Sequence, residues 1–135
     1  MKSKIFINLP ISNLEKSVAF YTAIGFTNNK QFSDETAACM VFSDEIYVML
    51  LTKPKFSNFI TKEIADTSKT AAAILSLELK DISSVNEMAE KVIQAGGKEF
   101  AEPKDYGFMF QRSFEDLDGH NWEIFYMDMS QFPTP

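Results

Sequence analysis

At 135 residues the chain has room for one ordinary domain, read as 1–135, and is short for two independent ones. Apolar residues make up 45% of it, which excludes a disordered chain. The formal charge of −6 excludes the basic face that nucleic acid requires, and mildly favours cationic small ligands. The single cysteine, Cys39, cannot form an intrachain disulfide, which suits a reducing compartment. The opening residues carry no apolar run of signal-peptide kind, and no stretch reaches membrane-spanning length. The expected setting is therefore cytoplasmic, with neither a membrane nor nucleic acid as partner.

Residues 4–11 alternate as a strand does, with Ile5, Ile7, Leu9 and Ile11 on one face and Phe6, Asn8 and Pro10 on the other. Ser12 and Glu15 stand in capping-box register and open a predicted helix, with Leu14, Val18 and Tyr21 on its apolar side and Gly25 at its end. Three short strands are expected next, over 26–32, 37–42 and 46–52, with Ser-Asp pairs marking the turns. Cys39 lies in an apolar run and reads as a buried, inert thiol. Residues 53–70 change to a mixed polar pattern with a short helix expected over 57–64. This segment is either a linker packed by Phe56 and Phe59 or a flap over a pocket.

The first half then recurs. Residues 74–80 alternate, with Leu75, Leu77 and Leu79 opposite Ile74, Ser76 and Glu78. A second helix follows, with Ser84 and Glu87 in capping-box register and Val85, Met88, Ala89 and Val92 on its apolar side. Asn13-Leu14 aligns with Asp81-Ile82, half a chain apart. Strands are expected near 98–102, 108–114 and 121–129. The last is the chemical anomaly of the chain. Asp118-Gly119 signals a tight turn, and the strand behind it places Trp122, Ile124 and Tyr126 on one face and Glu123, Phe125 and Met127 on the other. A carboxylate in so apolar a strand either faces solvent or points into a pocket that uses it. His120, the only histidine, reads as a solvent-exposed turn residue. Arg112 could face either side of its strand.

The stretch LPISNLEKSVAFYTAIGF at 9–26 resembles the first strand and helix of the vicinal oxygen chelate superfamily, which includes glyoxalase I, bleomycin- and fosfomycin-resistance proteins and extradiol dioxygenases. DLDGHNWE at 116–123 is similar to its closing signature. The resemblance implies an α+β fold of two paired β-α-β-β-β modules, about 1–55 and 72–130, joined by a connecting segment about 53–71. Their strands form a curved mixed sheet, a cup, with helices on its outer face. It also implies a small organic ligand inside the cup and a homodimer. In metal-bearing members four ligands come from the first and last strands of each module. Glu123 occupies the last of these positions, and the others fall at Phe6, Met49 and Ile74, which lack donors a divalent ion would use. A slip of two residues would bring in Asn8, Ser76 and Glu78, so that a metal, if present, would be held by Glu123 with Asn8 and Glu78.

The expected cup residues are Phe6, Asn8, Met49, Ile74, Ser76, Glu78, Gln111, Glu123 and Phe125, with Glu123 the one candidate catalytic group. The polar ones among them could equally be ordinary outward positions on strands. The preferred reading is a small-molecule-binding protein with a degenerate, metal-free site and no cofactor. The alternative is a metal-dependent lyase or dioxygenase using Glu123 as ligand and base.

Overall fold

Each half of the chain makes a four-stranded mixed sheet with one long helix packed on one side. A computed structural model describes residues 2–132, and the chain divides into one compact unit running to Asp66 and a second beginning at Thr67. The first unit contains β1 (Ile5–Ile11), α1 (Leu14–Ala23), β2 (Thr27–Asn29), β3 (Ala37–Val41), β4 (Ile46–Thr52) and the short α2 (Lys53–Ser57). Its sheet runs β1-β4-β3-β2, with β1 parallel to β4 and the other pairs antiparallel. The second contains β5 (Ile74–Glu78), α3 (Ile82–Gln94), β6 (Lys104–Asp105), β7 (Met109–Glu115) and β8 (Asn121–Met127). Its sheet repeats the pattern as β5-β8-β7-β6, with β5 parallel to β8. Among the described residues no helix is long and apolar enough to cross a membrane.

Both helices start on a side chain that accepts a backbone N–H three residues on. The caps are Asn13, whose Oδ1 accepts from the Lys16 N–H at 3.0 Å, and Asp81, whose Oδ1 accepts from the Ser84 N–H at 2.7 Å. This corrects the expected Ser12 and Ser84 capping boxes. Asn13 and Asp81 have the extended backbone that a cap needs, while Ser84 already lies inside the helix. The short helix also differs from expectation. It occupies Lys53–Ser57 rather than 57–64, because Pro54 near its start lacks only an N–H that the first turn leaves unpaired anyway. The strand expected over 26–32 stops at Asn29 and turns into a 3-10 helix, Lys30–Phe32, capped by the Asn29 side chain. Near 98–102 there is only a bridge between Lys98 and Glu115, and the edge strand forms later, at Lys104–Asp105.

Alternation decides what is buried. In the first unit Ile11, Phe20, Tyr21, Met40, Val48 and Leu50 are closed off from water. Tyr21 meets Phe26 edge to face, ring centroids 5.3 Å apart. In the second, Val85, Met88 and Val92 of α3 cover Phe114, Trp122 and Ile124. Phe114 and Trp122 stand opposite each other on β7 and β8 with their rings nearly parallel. Each such side chain contributes about 1.5–3 kcal/mol by burial, and together they fix which face of each sheet turns toward its helix.

Candidate functional site

The face of the second sheet turned away from α3 is where its chemistry collects. Arg112 shows which face that is. Its guanidinium lies under α3, donating to Asn86 Oδ1 at 3.0 Å and Glu90 Oε1 at 3.3 Å, and forming a two-pronged pair with Glu99 at 2.7 and 2.8 Å. The hydrogen bonds to Glu99 push the guanidinium pKa above its ordinary value. Arg112 is thus a structural clamp between sheet and helix, and its neighbours Gln111 and Ser113 point the other way.

On that opposite face stands Glu123. The register places Ser76 of β5 and Ser113 of β7 directly beside it. The Ser76 hydroxyl donates to Glu123 Oε1 at 3.1 Å, and the Gln111 amide donates to Oε2 at 3.3 Å. Each carboxylate oxygen therefore holds one neutral hydrogen bond. Glu123 is half-buried, Gln111 and Ser113 are buried, and Ser76 is open to water. Glu78 and Phe125 form the next row, with Gln111 across from Phe125. Trp122 is buried on the helix side, as the alternation predicted.

The turn that delivers β8 is built to be rigid. The buried Asp116 carboxylate accepts from the backbone N–H of Asp118 at 3.0 Å and of His120 at 2.9 Å. The Thr67 hydroxyl donates to the Asp118 carbonyl. Gly119 has φ +85°, and a Cβ there would run into the Thr67 carbonyl. Only glycine satisfies both conditions. His120 is buried, which corrects the expectation of an exposed turn residue. The reason is long-range: the turn is packed against a segment some fifty residues earlier, which local sequence does not reveal.

In the first unit, the face carrying Phe6, Asn8 and Pro10 also carries Tyr47 and Met49. Phe6 stacks on Tyr47 with ring centroids 4.4 Å apart. Met49 lies between Asn8 and Cys39. Cys39 is buried, and desolvation pushes its thiol pKa up, away from thiolate chemistry.

In the register Ser76 is opposite Glu123 and Asn8 opposite Met49, with Ile74 and Phe6 two residues earlier on the same faces. The equivalent strand pairs are thus Asn8–Met49 and Ser76–Glu123. The first pair offers an amide and a thioether, the second a hydroxyl and one carboxylate, and neither pair by itself suits a divalent ion. Among the described residues no three His, Cys, Asp or Glu side chains are grouped to hold one. Ser113 and Tyr47 were missed by the sequence reading, although alternation from Gln111 along β7 and from Met49 along β4 would have placed each on the face of a residue already expected to line the site.

The family model for the glyoxalase/bleomycin resistance protein/dioxygenase superfamily matches residues 5–124. The chain belongs to that superfamily. Solved structures agree on the superfamily's fold. A hypothetical protein from S. aureus is 27% identical, with 93% of this chain and 95% of that one covered and a TM-score of 0.77. A glyoxalase/bleomycin resistance protein/dioxygenase family enzyme from Burkholderia phytofirmans is 13% identical over 93% and 99%, TM-score 0.76. The fosfomycin resistance protein FosX from Mesorhizobium loti is 11% identical over 96% of each chain, TM-score 0.69. No curated protein matches.

Proposed function

We propose that this superfamily member binds a small organic molecule against the Glu123 face of its second sheet, and that binding requires no metal. The observation that carries the reading is the Glu123 carboxylate itself. It is half-buried, steadied by Ser76 and Gln111, and lacks the companion donors a divalent ion would need. A carboxylate anchor with an apolar stretch beside it, here Phe125, Met127 and Met109, is how small-molecule sites achieve orientation. Of the other residues expected to line the site, Gln111 and Phe125 lie on the Glu123 face, Ile74 and Glu78 flank Ser76 on β5, and Asn8 and Met49 pair with each other on the first sheet. A cytoplasmic setting is supported by the lone buried thiol, and a homodimer by the family resemblance.

The test is calorimetric titration with nickel, zinc, manganese and iron(II), alongside a thermal-shift screen of small organic compounds. The expected result is no stoichiometric metal uptake and a raised Tm with at least one organic ligand. At a hundredfold excess over Kd the stabilisation is about 2.7 kcal/mol. Stoichiometric metal binding that disappears in Glu123→Gln would overturn the reading in favour of metal-dependent chemistry.

A further inference from the structure

The Glu123 face has a polar end and an apolar end. Along β8, Asn121, Glu123, Phe125 and Met127 follow one another on it, and β7 sets Glu115, Ser113, Gln111 and Met109 against them in that order. Carboxylate and hydroxyl groups around Glu123 thus give way to a phenyl ring and two thioethers. At roughly 3.3 Å per residue, Glu123 and Met127 are about 13 Å apart along the strand. Phe125, Met127 and Met109 are all half-buried, so part of each reaches solvent. Methionine is flexible and polarisable, which suits it to an apolar partner of loosely specified shape.

Charge is asymmetric too. Glu78, Glu115 and Glu123 share this face with one cation, Lys104, which pairs with Gln111 at the far edge strand. An ionised carboxylate offers about four acceptor sites, and Glu123 uses two, both for neutral donors. Among the described residues none of the ion pairs involves Glu123.

Resting on the reading above, we propose that the ligand is a cationic amphiphile. Its ammonium head donates to the remaining acceptor sites of Glu123, and its apolar body lies along Phe125, Met127 and Met109. An ammonium group brings its own three donors and so needs no further protein ligands, unlike a divalent ion. The Phe125 ring, one step along the strand face, adds a favourable cation–π contact. An anionic head would instead meet three glutamates.

The experiment uses alkylamines of increasing tail length, with the matching alcohols and carboxylates, on protein carrying carbon-13 methyl-labelled methionine. Met109 and Met127 signals are assigned with Met109→Leu and Met127→Leu. Amines are expected to shift both methyls and to bind at least about tenfold more tightly than the alcohols, as a charge-assisted hydrogen bond would give. Glu123→Gln is expected to abolish that preference while alcohol binding persists, which also shows that the variant is folded. Equal binding of amine and alcohol, or a preference that survives Glu123→Gln, overturns the proposal and leaves an organic-ligand site standing. Failure of all three series at millimolar concentration overturns it as well, and with stoichiometric metal uptake overturns the reading beneath it.

Discussion

The two sheets share one plan and differ in what they place on it. Each pairs its first strand in parallel with its last and runs the rest antiparallel. At matching positions the first has Asn8, Met49 and Cys39 where the second has Ser76, Glu123 and Ser113. On the helix side the first has Ala38 where the second has Arg112. Backbone hydrogen bonding and alternation tolerate either set, so topology is duplicated without the chemistry. The comparison teaches that polar side chains in this fold can be concentrated in one copy while the other is mostly apolar at the matching positions, and that the charged clamp to the helix is concentrated with them.

The comparison breaks most visibly at Arg112. Arg112→Ala leaves Glu99 facing a buried gap, and is expected to cost about 3 kcal/mol or more in urea unfolding. The matching first-unit position holds no charge to lose. Next comes the glycine contrast. Gly119→Ala adds a backbone collision to the strain of a positive φ and is expected to cost about 2–4 kcal/mol. At Gly25, φ +122°, a Cβ meets nothing within 4 Å, so Gly25→Ala is expected to cost only the strain, about 1–2 kcal/mol. Equal losses at the two sites would show that the Thr67 contact does not constrain the turn.

The smallest effect separates the two helix caps. Hydrogen bonds from Ser84 hold the Asp81 carboxyl below its ordinary value of 3.8. A depressed folded-state pKa stabilises the fold above the unfolded value, and that contribution is lost as pH falls through the folded one. Urea midpoints measured from pH 5 to pH 2 should therefore fall more steeply for the wild type than for Asp81→Asn. Asn13→Ala, which removes a cap with nothing to protonate, should lower stability by about 1 kcal/mol at every pH.

Much of the fold could be read from the residues, because alternation and the Asn13/Asp81 alignment are local signals. The faces of β1, β5 and β8 follow from period two alone. What period two cannot give is register. A slip of two residues keeps every side chain on its face, so Ile74 and Ser76 were equally good partners for Glu123 until the strands were paired. The capping boxes misled for a related reason. Ser-x-x-Glu occurs at both helix starts, but the cap is whichever residue has extended backbone, and that depends on where the preceding strand ends. The burial of His120 and the clamp at Arg112 depend on partners distant in sequence or on another element, and no window of neighbouring residues contains them.

The parallel pairing of β5 with β8 also governs the order in which the second unit can be assembled. Ser76 and Glu123 are 47 positions apart, and β8 lies between β5 and β7 in the sheet. Until β8 has left the ribosome, β5 has no strand to join and α3 lacks half the surface it covers. Closing so long a loop is slow, so this unit is expected to fold late, when the β8 segment becomes available. Synthesis stalled before residue 121 would expose Leu77, Val92 and Phe114 together, which makes that interval the one in which the nascent chain most needs protection from aggregation.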